Sequence, residues 1–302
     1  MGKHLSESIR VPIEADNPAI RRIENLCIKC GQCRDICRDY ISVLGYYDLS
    51  KTNDTAVCIH CGQCANVCPV SSITETPEMD AVIAAAKDPD KVLIVSTSPS
   101  VRVSLGEAFG MQRGSFVEGK MIALLRKLGA DYVLDTNFAA DMTIVEEASE
   151  LVERLTTHNK PLPQFTSCCP AWSMMAKKLF PDHANCISMA LTPMTLTARL
   201  IKKQHEKAKV VFIGPCAAKK LEAMRRSVRS EVDFVLTFEE LRGMFEAKDI
   251  DLEKMEDSPS HYEASAPGVG FAAGGGVAKA VEDVIHRLHP EVEVKTITAD
   301  GL

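Results

Sequence analysis

The 302-residue chain is long enough for two domains, or for one large domain with an appended module, and its 46% hydrophobic content permits a real core. A formal charge of −6 gives no basic field for nucleic acid, 5% aromatic residues offer little for base stacking, and no apolar run approaches membrane-spanning length. Met1 to Arg22 lacks the apolar stretch of a signal peptide, so a cytoplasmic location is expected, where twelve cysteines point to metal ligation and away from disulfides.

Residues 1–25 are polar and broken by Pro12 and Pro18, and are expected to form an arm laid over the surface. Residues 26–80 contain an internal repeat. Cys27-Ile28-Lys29-Cys30-Gly31-Gln32-Cys33, closed by Cys37, recurs as Cys58-Ile59-His60-Cys61-Gly62-Gln63-Cys64, closed by Cys68 and Pro69. This is the spacing of a bacterial ferredoxin with two 4Fe-4S clusters, in which each triplet wraps one cube and the fourth thiolate reaches across to the other. Cys27, Cys30, Cys33 and Cys68 are therefore assigned to one cluster, and Cys58, Cys61, Cys64 and Cys37 to the second. Zinc sites use separated cysteine pairs, so the unbroken triplets argue against zinc. His60 is read as a solvated histidine.

Residues 81–302 form the larger domain. After a linking helix beyond Pro77, Val92 to Val95 reads as a strand that turns through Ser96 to Ser100 into a helix from Val101 to Gly110. A helix over 121–128, a strand at 132–134 and a helix over 143–155 follow. Strands alternating with helices imply an α/β layer structure with a parallel sheet. Glu147, Glu150 and Arg154 fall at i, i+3 and i+7 on one helix face, a pattern that by itself reads as a solvated face.

Thr166-Ser167-Cys168-Cys169-Pro170-Ala171-Trp172 sets two thiols side by side before a helix over 172–180. Neighbouring side chains on extended backbone point to opposite faces, so the pair suits two different jobs better than one shared ion. Pro170 suits the first helical position, which would put both thiols at a helix N-terminus. Cys186 reads as a core residue. A helix at 194–205 and a strand at 210–213 lead into Gly214-Pro215-Cys216, which sets another thiol at the end of a strand, before a helix over 217–226. The strand at 234–236 precedes a capping box, Thr237 with Glu240. Residues 249–266 read as a surface excursion. Gly268 to Ala273 matches the loose dinucleotide pattern GxGxxA but lacks the strand that must precede it, so it is read as a loop before a helix over 277–288. A last strand is expected at 292–297.

Two tandem ferredoxin repeats, the TSCCPAW turn and the PCxxKK turn after a strand together resemble the iron-iron (FeFe) hydrogenases from Cys27 to Leu302, including Ser98-Pro99-Ser100-Val101-Arg102 and Asp135 to Asp141. The resemblance implies two parallel-sheet lobes with an N-terminal ferredoxin-like α+β domain. It also implies an H-cluster, a 4Fe-4S cube joined to a di-iron unit carrying CO, cyanide and a dithiolate amine. On that resemblance Cys169 and Cys216 would ligate the cube, Cys168 would pass protons to the amine, Lys219 would donate to a cyanide, and Ser100 would border the cofactor. Glu147, Glu150, Arg154 and Ser188 match the family's proton path. The implied reaction is the reversible reduction of protons to H2, with electrons from ferredoxin and a cofactor built by maturation proteins.

Two departures stand out. Gly214 occupies a position that is usually Met, and the third cysteine motif, with two further ligands, is absent. The C-terminus therefore reads as truncated, and the chain alone is expected to be inactive. An electron-transfer or sensory iron-sulfur protein and a hydrogenase-like iron-sulfur assembly factor are the alternatives. The missing cysteines favour the first, and the retained proton-path residues argue against both.

Overall fold

The computed structural model describes residues 9–41, 43, 58–225, 229–248, 250–260 and 264–297. The chain divides into two units, one of Met1–Thr76, Cys169–Ile187 and Cys216–Met224, the other of Pro77–Cys168, Ser188–Pro215 and Arg225–Leu302.

The first unit opens with strand β1 (Ile20–Arg22) and the short helices α1 (Gln32–Asp35) and α2 (Gln63–Asn66), then closes its sheet with β2 (Ile73–Glu75). β1 and β2 pair antiparallel, with Arg21 opposite Thr74. The expected separate arm is thus part of the ferredoxin-like unit, because its residues 20–22 supply half of that sheet. Gly31 and Gly62 precede α1 and α2 at φ of 87° and 79°, the left-handed region that glycine enters at no steric cost. Lys29 and His60, two positions earlier in each repeat, are left-handed as well. The repeat in sequence is therefore a repeat in backbone. Val11, Ile20, Cys33, Cys64 and Ile73 form its core.

In the second unit α3 (Met79–Ala86) leads to β3 (Leu93–Thr97), α4 (Val101–Ala108), α5 (Glu118–Lys127), β4 (Tyr132–Asp135) and α6 (Asn137–Thr157). α6 begins before the expected residue 143, since Asp135 Oδ1 accepts the Asn137 N–H at 2.9 Å and starts the first turn. The first unit takes up α7 (Pro170–Leu179), the second α8 (Pro193–Gln204) and β5 (Lys209–Ile213), and the first α9 (Ala218–Met224). β6 (Phe234–Leu236), α10 (Phe238–Ala247), α11 (Ala266–Gly270) and α12 (Gly276–Leu288) complete the second unit.

The four strands form one parallel sheet in the order β4-β3-β5-β6, with Val95 opposite both Val133 and Val211. Strands from both expected lobes thus share one sheet among the described residues. Leu93, Val95, Val211 and Ile213 face a core with α4, α5 and α10, while Ile94 and Val210 face Ala198 and Ile201 of α8. This is the two-sided burial that makes parallel strands continuously apolar. α6 and α12 pack through Ile144, Ala148, Val281 and Ile285.

The expected strand at 292–297 does not form: among the described residues it pairs with no strand, and Thr296 Oγ1 instead donates to Glu282 Oε2 at 2.9 Å. Part of the expected glycine loop is the short helix α11, capped by Ser265. The helix expected to reach Arg226 has its last predicted turn partly outside the described residues. No helix among the described residues is long and apolar enough to cross a membrane.

Candidate iron-sulfur and proton-relay sites

Two cavities in the first unit sort eight of the twelve cysteines. Cys37, Cys58, Cys61 and Cys64 line one, walled by Ile36, Ile41 and Val43; Cys27, Cys30, Cys33 and Cys68 line the other, walled by Val70 and Ile73. Each cavity therefore takes three thiols from one repeat and one from the other. The backbone supplies hydrogen bonds to sulfur: His60 N–H donates to Cys58 Sγ at 3.4 Å, and Ile73 N–H to Cys68 Sγ at 3.4 Å. Burial pushes the Cys58, Cys61 and Cys64 thiols up, which disfavours bare thiolates there. Among the described residues no three ligating side chains converge on a single-ion site. Four thiols around an apolar cavity, with N–H groups aimed at sulfur, suit a multi-iron cube, whose ligands stand farther apart than those of one ion.

His60 is buried, contrary to the solvated reading. Its Nδ1 donates to Asn17 Oδ1 at 3.0 Å, and that oxygen also accepts the Ala19 and Ile20 N–H groups. Asn17 Nδ2 lies 3.5 Å from Cys58 Sγ as donor. Asn17 was not legible as a site residue, because it lies outside the repeat and has no spacing relation to it.

Cys169 and Cys216 also belong to the first unit. Cys169 caps α7, its Sγ accepting the Trp172 N–H at 3.4 Å with Pro170 in the first turn. Cys216 precedes α9, which packs against α7. Burial raises the Cys216 thiol, opposed by the Lys219 charge and nearby N–H groups. Lys219 Nζ is held by Glu222 Oε2 at 2.7 Å. These two cysteines fit half of a cube's ligand set. Cys186 is buried, as a core residue would be.

The remaining candidates lie in the second unit. Ser100 Oγ is 2.8 Å from Ser98 Oγ. The Glu147, Glu150 and Arg154 face of α6 is not solvated: Glu147 and Arg154 are each 1% exposed. Segments 164–168 and 188–191 cover it, joined by Ser188 N–H to Phe165 O at 2.7 Å and by Ser167 Oγ to Ala190 O at 3.1 Å. Glu147 Oε1 accepts the Ser167 N–H at 3.4 Å, next to Cys168, while its Oε2 has no partner among the described residues. Burial raises this carboxyl to about 7; the neighbouring Glu150 and Glu146 charges add to the rise, and the Ser167 N–H opposes it.

Glu150 differs in every respect. Its Oε1 accepts from Arg154 at 2.7 Å and Lys160 at 3.0 Å, its Oε2 from the Ser188 hydroxyl at 2.8 Å and the Met189 N–H at 2.9 Å. Burial alone would raise it, but these donors outweigh burial and hold it at about 2. Lys160, ten residues along the chain, carries no sequence signal for this contact. The face thus offers one carboxyl able to gain and lose a proton near neutrality beside one held ionised.

Residues 91–301 match the family described as iron only hydrogenase large subunit, C-terminal domain, and residues 52–74 match a 4Fe-4S binding domain. The chain is 37% identical over 281 residues to Iron hydrogenase 1 of Clostridium pasteurianum, covering 84% of this chain and 49% of that protein. It is 31% identical over 233 residues to cytosolic iron-sulfur assembly component 3 of Bos taurus, covering 69% and 48% respectively. A solved apo FeFe-hydrogenase from Chlamydomonas reinhardtii superposes with a TM-score of 0.63 at 30% identity, covering 75% of this chain and 62% of that one. The chain spans about half the length of the curated relatives it matches.

Proposed function

The chain belongs to the iron-only hydrogenase family, and from that premise we propose that it carries the electron inlet and the proton relay of an FeFe hydrogenase, which interconverts H2 with protons and electrons. Two 4Fe-4S clusters, held by Cys27, Cys30, Cys33 and Cys68 and by Cys58, Cys61, Cys64 and Cys37, would pass electrons from a ferredoxin. Cys169 and Cys216 would hold two corners of the H-cluster cube, with Lys219 and Ser100 at its border. That group, built by maturation proteins, supplies the iron at which H2 is made or split. The protein's own residues exclude water and move protons: Glu147 loads and unloads near neutral pH, Cys168 is the thiol beside its Ser167 contact, and Glu150, Arg154 and Ser188 complete the relay. A cytoplasmic setting belongs to the same proposal.

The observation that carries the reading is Glu147, a buried carboxyl of α6 that accepts from the segment ending at Cys168 and keeps one oxygen without a partner among the described residues. An electron carrier has no use for such a group, and burying it costs stability. The test is anaerobic expression with the maturation machinery, followed by infrared spectroscopy of the CO and cyanide stretching region. Bands there support the hydrogenase reading, and their loss of proton sensitivity in Cys168→Ser would assign the thiol. Silence, with iron at the level of the ferredoxin clusters alone, would sink it. The likeness to the bovine assembly component favours that second reading, iron-sulfur assembly, which predicts cluster transfer to an apo acceptor protein from a chain without such bands.

A further inference from the structure

In the first unit three donors converge on one oxygen of Asn17, a residue 8% exposed. The Ala19 and Ile20 N–H groups each reach its Oδ1 at 3.1 Å, and His60 Nδ1 lies 3.0 Å away. Backbone N–H groups can only donate, so this end of the amide is its oxygen and His60 turns a ring N–H toward it. The amide orientation that follows aims the Asn17 NH2 group at Cys58 Sγ, 3.5 Å away. Cys58 Sγ also accepts the His60 backbone N–H at 3.4 Å, so the side chain of Asn17 and the backbone of its partner His60 end on one sulfur. Cys27, the matching sulfur of the first repeat, has the Arg10 guanidinium beside it instead, itself paired with Glu24 at 2.6 Å.

We propose that Asn17, through this bond to Cys58, raises the reduction potential of the cluster held by Cys37, Cys58, Cys61 and Cys64 and leaves the other cluster untouched; this rests on the assignment of those four thiols to one cube and not on the hydrogenase chemistry. A reduced cube carries one more negative charge than an oxidised one, shared with its ligand sulfurs. An N–H dipole aimed at such a sulfur therefore stabilises the reduced form more than the oxidised form. The walls of that cavity include Val11, Ile20, Ile36 and Ile41, so little water competes for the sulfur and the dipole is weakly screened. The three bonds to Oδ1 hold the amide in place before the electron arrives, so no reorientation is needed. The step affected is a one-electron reduction. The electron comes from the ferredoxin-type carrier, no bond is made or broken, and no proton moves.

The test is a potential titration of the reconstituted full chain, followed by electron paramagnetic resonance, beside Asn17→Ala and Asn17→Asp. Asn17→Ala removes the donor without adding charge. Asn17→Asp keeps the oxygen to which Ala19, Ile20 and His60 donate, and so keeps the turn, while it removes the donor to sulfur. Asn17→Ala should disfavour reduction of one cluster about tenfold, a fall of about 59 mV for a one-electron couple, and Asn17→Asp at least as much. The other reduction step should stay in place, and the step that moves should be the one that Cys37→Ser removes. A second readout needs no variant to fold: with a heavy nitrogen isotope in the asparagine side-chain amides, the reduced wild-type cluster should show a weak coupling to that nitrogen. Asn17→Asp should abolish it. Iron content identifies a variant that no longer binds its cluster, and the wild-type coupling then decides. The assignment to Asn17 is overturned if Asn17→Ala binds both clusters with unmoved potentials, if both steps shift alike, or if the coupling is absent. Failure of the wild-type chain to form this cluster strikes the cube and the donor together, whereas a cube that forms with an unmoved potential strikes the donor alone.

Discussion

The Ser188 hydroxyl donates to Glu150 Oε2 at 2.8 Å while the Ser188 N–H donates to Phe165 O at 2.7 Å, so one residue fastens helix α6 and the segment leading to Cys168 together. The contact closes 38 residues of chain over the buried face of α6.

Removing that fastening should be measurable. Ser188→Ala leaves Glu150 Oε2 with the Met189 N–H and should cost about 1 kcal/mol in urea unfolding. Arg154→Met should cost more, about 3 kcal/mol, because Arg154 is buried against Glu150 and also donates to Pro161 O at 2.8 Å. Equal effects of the two variants would mean that the ion pair adds nothing beyond a hydrogen bond.

Glu147 should make stability fall as pH rises. Its folded pKa of about 7 lies above the usual 4.5, so its contribution is fully present below 4.5 and lost as pH rises through 7. The loss is roughly 3 kcal/mol, and Glu147→Gln should remove it. Glu150 runs the other way: held at about 2, its contribution is present above 4.5 and lost as pH falls through 2. Urea midpoints at about pH 5 and about pH 8 test the first statement, and a wild-type curve no steeper than that of Glu147→Gln would refute it.

The crossed thiol sets predict which cluster each serine variant damages. Cys37→Ser should spare the cluster of Cys27, Cys30 and Cys33 and cripple the one of Cys58, Cys61 and Cys64; Cys68→Ser should do the reverse. Chemical reconstitution should give about eight irons per wild-type chain and about four firmly held irons in either variant. Electron paramagnetic resonance of the single and double variants shows which signal goes. Damage confined to the variant's own repeat would refute the crossing.

Gly214 is predicted to resist enlargement. A Cβ built there would lie 2.9 Å from the Phe212 ring and 3.1 Å from Ser98 Oγ, and that ring is buried. Gly214→Ala should therefore destabilise the chain by about 2 kcal/mol, seen as an earlier urea midpoint. A Met at this position would need a different Phe212 rotamer, and Gly214→Met combined with Phe212→Ala should recover part of the loss.

What the sequence determined by itself was local. The cysteine spacing marked both repeats, Pro170 marked the start of α7, and Thr237 with Glu240 marked the start of α10. These follow from backbone dihedrals and periodicity, which are properties of a few consecutive residues. The expected strand at 292–297 failed for the complementary reason: alternation permits a strand, but only a neighbouring ladder makes one.

Tertiary structure alone decided burial and partnership. The charged face of α6 looks solvated in a helical projection and is interior because residues 164–168 and 188–191 lie over it. His60 looks like a free histidine and is held by Asn17, 43 residues earlier. Glu147 and Glu150 are the same residue type three positions apart, yet one sits at about 7 and the other at about 2. The difference lies in which donors reach each carboxylate: Arg154 one turn on and the distant Lys160, Ser188 and Met189 for Glu150, against a single Ser167 N–H for Glu147. Desolvation and hydrogen bonding act through space, and no spacing along the chain encodes them.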